Sequence, residues 1–384
     1  MDASYLQTCR YCKHEFRAAA KYLGRKVACP SCRSPVAVSD AVPVADKLVG
    51  RTIGGCTLQR RLGAGALGVV YEGVRQEDGR RVAIKLLSSQ AAQIEDVVAR
   101  FEREAALAME LRLPQIVAVH RCGQERGAWF LVMDYVDGGS LAARLDGEPL
   151  PWREAVALIR PIALALAGLH ARGVIHRDIK PGNILIAGDG QPMLADLGLA
   201  KEYRNADANG LTMSNVALGS PAYMPPEQIR DARSVGPLAD VYALGASLYE
   251  CVTGRLPFLG ANGAEVMAKV LRQPPPDAAA AVPGLPAGLL ALLRSCMAKD
   301  PAERPQGAQA LADALAGILA DPDALPRQIP VPASRRASTV DLRPVRSAPP
   351  ATASGGGGVP WWVWLVALAI IGGGGAGAWA LLRL

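Results

Sequence analysis

Apolar positions along the chain change period near its middle. Residues 57–62, 69–71 and 81–87 have strand character. In the last, Val82, Ile84 and Leu86 alternate with Ala83, Lys85 and Leu87, so Lys85 shares a face with Ala83. Residues 94–111 then carry a helical stripe, with Val97, Phe101, Ala105, Ala108 and Leu111 in register. Residues 129–133 form an uninterrupted apolar run that reads as a buried strand. A second helical stripe covers 151–172 through Val156, Ile159, Ala163, Leu166 and Leu169. Pro161 lies inside it and predicts a kink with a freed carbonyl near Ala157. Gly173 is its natural stop. A short strand follows at 184–186. Residues 241–320 are Ala/Leu-rich and helical, broken by a Pro/Ala tract at 273–286 that reads as a surface loop, and closed by a helix over 306–320. The order is strands first and helices after, an α+β arrangement with a small β-rich part and a larger helical one.

Beyond residue 320 the pattern changes in kind. Residues 321–358 are rich in Pro, Ala, Ser and Arg and end in four glycines, a disordered linker by composition. Residues 359–382 are 24 positions without a charge, more than the roughly 20 needed to span a bilayer. Trp361, Trp362, Trp364 and Trp379 lie near the ends, where aromatic belts form. Gly373 with Gly377 offers a close-packed face for a homodimer. Arg335, Arg336, Arg343 and Arg346 precede the run, against Arg383 after it. The expectation is a single-pass anchor in the inner (cytoplasmic) membrane with the preceding chain on the cytoplasmic side. Two residues follow the run, so no outside sensor domain is expected on this chain.

Net charge of +7 is unevenly placed: +4 over residues 1–50, zero over 51–320 and +3 over 321–384. The neutral middle argues against nucleic acid as its partner. Eight cysteines are present. Cys9, Cys12, Cys29 and Cys32 form two Cys-x-x-Cys pairs separated by 16 residues, a spacing at which two thiolate knuckles grip one structural Zn²⁺. No signal sequence opens the chain, so disulfides are not the default. A redox dithiol and unligated thiols are the alternatives. Residues 1–40 bury little core, so a metal would supply much of their folding energy. This segment resembles a zinc ribbon, joined by a linker at 41–52. Lys21, Arg25 and Lys26 are either a patch for docking a partner or nucleic acid or a solvated basic turn.

Candidate chemistry centres on His176-Arg-Asp-Ile-Lys-Pro-Gly-Asn183. An acid, a lysine two residues on and an asparagine five residues on suit phosphoryl transfer. Asp178 can orient a hydroxyl and accept its proton, Lys180 can neutralise the moving phosphoryl, and Asn183 can ligate Mg²⁺. With these residues the chain resembles the protein kinases, and Lys180 is the mark of serine/threonine kinases. The resemblance extends over about residues 56–320 and implies a bilobal kinase fold over 53–320, with ATP and Mg²⁺ (or Mn²⁺) between the lobes. It implies that Leu62, Gly63, Ala64, Gly65, Gly68 and Val70 lie over the phosphates and adenine. Ala83, Met133 and backbone groups of Asp134 and Val136 would complete the adenine pocket. Lys85 would contact the phosphates and pair with a glutamate on the next helix. Glu102, Glu104 and Glu110 compete for that place, and Glu104 is the family match. Asp196, in Asp-Leu-Gly, would hold Mg²⁺ with Asn183; Leu197 stands where the family has Phe. Residues 199–227 would be the activation segment, with Thr212 or Ser214 phosphorylated and bound by Arg177. The Ser220 hydroxyl would bridge Asp178 and Lys180. Glu227 would pair with Arg304, and Asp240 would cap the catalytic loop.

The resemblance therefore implies a membrane-anchored serine/threonine kinase of the eukaryotic-like sort found in bacteria, acting on Ser/Thr hydroxyls of proteins and autophosphorylating. Ser338 and Thr339 stand as linker candidates against an unmodified linker. A pseudokinase scaffold and a zinc-ribbon recruitment protein are the competing classes. The first predicts loss of Lys85, Asp178, Asn183 or Asp196, all of which are present.

Overall fold

The computed structural model describes residues 4–9, 14–19, 22, 24–32, 34–38, 46–65, 68–197, 220–231 and 235–322. The linker and apolar run expected beyond 320 lie almost wholly outside them. Among the described residues, no helix is long and apolar enough to cross a membrane.

The N-terminal segment is two antiparallel hairpins, β1 (Ser4–Thr8) with β2 (Glu15–Ala19) and β3 (Lys26–Ala28) with β4 (Pro35–Ala37). Cys9 and Cys29 each follow the first strand of a hairpin. They are fully buried, and with Val36 they form a core too small to hold the fold by apolar burial alone.

A six-stranded antiparallel sheet follows. It contains β5 (Thr52–Ile53), β6 (Cys56–Ala64), β7 (Gly68–Arg75), β8 (Arg81–Leu87), β9 (Val119–Glu125) and β10 (Ala128–Asp134), in the order β5-β6-β7-β8-β10-β9. Helix α1 (Glu95–Glu110) connects β8 to β9 and matches the predicted helix to within a residue at each end. The alternation in β8 has its cause in the two faces. Val82, Ile84 and Leu86 pack with Leu58, Tyr71 and Val132. Ala83 and Leu87 pack with Leu131, Met133 and the α1 residues Phe101, Ala105 and Ala108. Lys85 lies on the α1 face by the same alternation. Strand β9 carries no clear apolar period, with Val119 its one buried position, and only its pairing with β10 reveals it.

The larger, helical part is built from α2 (Leu141–Leu145), α3 (Trp152–His170), the hairpin β11 (Ile184–Ile186) and β12 (Pro192–Leu194), α4 (Pro226–Arg230), α5 (Leu238–Thr253), α6 (Gly263–Arg272), α7 (Ala278–Ala281), α8 (Ala287–Cys296) and α9 (Ala308–Ala320). The stripe of α3 buries Val156, Ile159, Ala163, Leu166 and Leu169 against α5, which is covered on nearly every side. Each fully buried Leu or Ile there contributes about 1.5–3 kcal/mol. Helix α3 runs unbroken through Pro161, whose missing N–H leaves the Ala157 carbonyl without its usual helical donor. It ends as expected: Gly173 has φ +74°, and Val174 N–H donates to Leu169 O at 3.1 Å. The tract at 273–286 is not all loop. Asp277 accepts a hydrogen bond from Ala279 N–H and starts the single turn α7, whose Ala278 is buried.

Candidate active site

The segment 174–183 crosses from α3 to β11, and a single carboxylate holds its bend. Asp240, in the first turn of α5, is fully buried. Its Oδ2 accepts from His176 N–H and from His170 Nε2, and its Oδ1 from Arg177 N–H, each at 2.8 Å. The expected cap is formed. Arg177 sits at φ +63°, a left-handed backbone that costs a non-glycine residue about 1–3 kcal/mol. Gln228 Nε2 donates to its carbonyl at 3.1 Å, so both sides of this strained residue are tied down.

His176 has no exposed surface and links the two halves of the site. Its Nδ1 accepts from Asp178 N–H at 3.3 Å and its Nε2–H donates to Ala195 O at 3.1 Å. These bonds define a neutral tautomer. Burial pushes its pKa below the ordinary value, against the pull of Asp240 and Asp178.

Around Asp178 the predicted residues converge. Lys180 Nζ donates to Asp178 Oδ2 at 2.9 Å. Asn183 Nδ2 donates to Asp178 O at 2.7 Å and to Oδ2 at 3.0 Å. That commits the Asn183 amide nitrogen and leaves its Oδ1 as the atom a cation can use. Ala195 N–H donates to Asn183 O at 2.8 Å, continuing the β11–β12 ladder by one step, so Asn183 and Asp196 flank one closure. Two oxygen donors so placed fit a hard divalent cation. Asp196 has φ +56°.

Lys85 Nζ lies 2.6 Å from Asp196 Oδ1. Burial raises the Asp196 pKa, but the Lys85 ammonium outweighs it and holds the carboxyl below its usual value. Among the described residues, the ion-pair partner of Lys85 is Asp196 rather than the expected Glu104. Glu104 is nevertheless the half-buried one of the three candidates, whereas Glu102 and Glu110 are exposed.

The cleft beside Lys85 is walled by the other predicted residues. Val70 and Leu131 flank Lys85 on the neighbouring strands, and Ala83 pairs with Met133, which is buried. Behind Met133 is a cavity of about 20 Å³, lined also by Leu131, Leu194 and Leu197. Leu197 packs against the cores of both lobes. Asp134 N–H is taken by Ala118 O at 2.9 Å, so of its backbone polar groups only the carbonyl remains to offer. Val136 is half-buried in the segment that follows.

Gly68 and Gly63 are glycines for different reasons. A Cβ on Gly68 would lie 1.8 Å from Leu86 O, so the sheet itself forbids a side chain. Gly63 and Gly65 have open space where a Cβ would go and no positive φ. Nothing in the protein's own packing demands glycine at either, which fits a hairpin kept bare for close approach of a ligand. Leu62 and Ala64 beside them are exposed. Leu67, Gly198, Thr212 and Ser214, and the Ser220 side chain, lie outside what the structure describes.

The expected Glu227–Arg304 pair is bidentate, at 2.6 and 2.8 Å. The buried guanidinium also donates to Ala298 O and Leu238 O. Tyr223 donates to the Glu250 carboxylate, whose pKa burial raises. Sequence reasoning did not foresee the roles of His176, Gln228 or Glu250. Each acts through a contact at least 19 residues away that no local pattern marks.

At the N-terminus, the Sγ atoms of Cys9, Cys29 and Cys32 all lie within 4.8 Å of one another, with Cys9 and Cys32 3.5 Å apart. Tetrahedral Zn–S bonds of about 2.3 Å place sulfurs roughly 3.8 Å apart, so this donor set fits. Cys9 N–H bonds His14 O and Cys29 N–H bonds Ser34 O, making matched turns. Cys12 is outside the described residues.

Comparison with known proteins agrees with this geometry. The family described as "Protein kinase domain" matches residues 56–315. The chain is 39% identical over 276 residues to serine/threonine-protein kinase PknJ of Mycobacterium bovis, covering 70% of this chain and 46% of that one. It is 36% identical to PknL of Mycobacterium tuberculosis over 279 residues, covering 72% and 67%. The chain thus spans about half the length of the first of these relatives. Among solved structures, the PknI kinase domain of Mycobacterium tuberculosis superposes with a TM-score of 0.56 at 30% identity, covering 70% of this chain and 98% of that one.

Proposed function

The chain belongs to the protein kinase family, and we propose that it transfers the γ-phosphoryl group of ATP to Ser and Thr hydroxyls of proteins. The observation that carries this is the convergence of Asp178, Lys180 and Asn183 on one loop, closed through Ala195 onto Asp196 and Lys85. Asp178 orients the acceptor hydroxyl and takes its proton. Lys180 and Lys85 offset the charge on the transferring phosphoryl, and Asn183 and Asp196 are the groups that would hold Mg²⁺ or Mn²⁺. When bound, the nucleotide would supply the phosphoryl group and the cation would offset its negative charge. The protein contributes position and electrostatics. A pseudokinase reading, which predicts loss of Lys85, Asp178, Asn183 or Asp196, is not favoured, because all four are present.

The finer reading rests on sequence. The uncharged run 359–382 and the arginines before it support a single-pass anchor in the cytoplasmic membrane with the kinase on the inner side. Gly373 and Gly377 support dimerisation of that anchor. Thr212 or Ser214, with Arg177 as the phosphate's partner, supports activation by autophosphorylation. The three clustered thiols support a structural zinc ribbon.

Incorporation of labelled phosphate into a general protein substrate tests the central reading. Wild type should phosphorylate Ser and Thr, and Asp178→Asn should lose activity by roughly 10²–10⁴-fold. Equal incorporation by both proteins sinks the assignment.

A further inference from the structure

On the sheet face that carries Ala83 and Lys85, at the end nearest Asp134, sits a carboxylate that neither the catalytic loop nor the cleft uses. Glu72 on β7 is aligned with Arg60 of β6 on one side and Ala83 of β8 on the other. Its side chain is only 6% exposed. Two guanidiniums compensate it. Arg60 Nε lies 2.6 Å from Oε2, and Arg81 donates to Oε1 from Nε at 2.8 Å and approaches it with Nη2 at 2.7 Å.

Both arginines also reach the same residue of the segment after β10. Arg60 Nη2 donates to Tyr135 OH at 3.0 Å. The Arg81 guanidinium lies over the Tyr135 ring, 4.2 Å from its centroid. The four side chains close a ring: carboxylate, two cations and one aromatic that accepts a hydrogen bond at its rim and a cation on its face. The ring joins the glycine-bearing hairpin β6–β7 to the residue between Asp134 and Val136. These are the two surfaces that must grip a nucleotide from opposite sides.

We propose that Arg60, Glu72, Arg81 and Tyr135 form a clasp that sets how far the β6–β7 hairpin stands from the segment following β10, with Tyr135 a positioning residue for nucleotide binding. The inference rests on reading this cleft as the ATP site. None of the four touches the reacting groups. The clasp acts by holding the strand that leads into Leu62 and Gly63 against the wall that carries Asp134 and Val136, so the bare hairpin does not have to be ordered afresh by each nucleotide. Glu72 is the keystone, because without it Arg60 and Arg81 become two adjacent like charges with no anion between them.

The test uses the full chain and four variants: Tyr135→Phe, which removes the acceptor for Arg60 but keeps the ring under Arg81; Arg60→Ala; their double mutant; and Glu72→Gln. Mg-ATP affinity is measured by titration calorimetry, alongside KM and kcat for ATP, KM for the protein substrate, and Tm. The expected result is a rise of roughly three- to ten-fold in Kd and KM for ATP with Glu72→Gln, and a smaller rise with Tyr135→Phe. Changes in kcat should stay within about twofold, KM for the protein substrate should hold, and the double mutant should be less affected than the sum of its singles. Unchanged Kd and KM for ATP overturn the clasp, whatever Tm does, because a merely structural network would move Tm alone. A loss confined to kcat overturns it too. Failure of the wild type to bind Mg-ATP at all is a different result, and it would refute the reading of the cleft rather than the clasp.

Discussion

Replacing Asp240 by Asn tests whether one buried carboxylate organises the catalytic loop. The side chain accepts three hydrogen bonds: two on Oδ2, from His170 and His176, and one on Oδ1, from Arg177. An asparagine of the same shape has one acceptor and one donor. Whichever way it is turned, its NH₂ faces at least one buried N–H. Loss of a charged-acceptor hydrogen bond costs about 1.5–3 kcal/mol, and the stranded donor adds to it. A total near 3 kcal/mol lowers Tm by roughly 6–12 °C in a domain of this size. The variant should still fold at low temperature, so kcat can be compared there with wild type. Arg177, at φ +63°, is fastened on both sides by Asp240 and Gln228, and Asp178 is the next residue. Displacement of the acid by about 1 Å costs roughly 10²-fold in kcat. Thermal unfolding by circular dichroism and steady-state phosphorylation at 15 °C are the two assays. A variant with wild-type kcat and Tm would show that the loop's bend does not depend on Asp240.

Three further outcomes follow from the geometry. His176 is buried with its pKa pushed below 6.5; because the unfolded chain binds that proton more readily, its contribution to stability is full above pH 6.5 and is lost as pH falls below it, so Tm should drop from pH 7 to pH 5.5 and His176→Asn should flatten that part of the profile. Arg304→Ala leaves the Glu227 carboxylate without its bidentate partner and should cost about 3–5 kcal/mol, seen as a large loss in denaturant midpoint; a shift under 1 kcal/mol would contradict the buried pairing. Purified protein should carry one zinc per chain by elemental analysis, and Cys29→Ser should lose it and abolish the protease protection of residues 1–40 while leaving phosphorylation by the remaining domain intact.

The chemistry was more legible in the sequence than the framework that holds it. Lys85, Asp178, Lys180, Asn183 and Asp196 could be found because each belongs to a short motif whose residue types suit one reaction. Helices α1 and α3 could be found because their buried faces repeat every turn. Strand β9 could not, since a half-buried edge strand of Val-His-Arg-Cys-Gly-Gln-Glu has no period to read. The choice of Glu104 among three glutamates is marked by burial, while the partner of Lys85 depends on where β12 ends, a long-range fact. The clasp at Tyr135 escaped for the same reason: Glu72, Arg60 and Arg81 each look like exposed strand charges until the register is known.

The Glu227–Arg304 pair also bears on the order in which the helical lobe can assemble during synthesis. Its partners are 77 positions apart, and the guanidinium binds the Leu238 and Ala298 carbonyls as well. A nascent chain that has emerged through Asp196 already contains Lys85, Asp178, Lys180 and Asn183. The anchor for the turn beginning at Ser220 and for α4 arrives only with Arg304, after the loop-closure entropy of the intervening chain has been overcome. A chain that stops short of Arg304 therefore holds Asp178, Lys180 and Asn183 but lacks the cation that ties Glu227, at the start of α4, to the helical lobe.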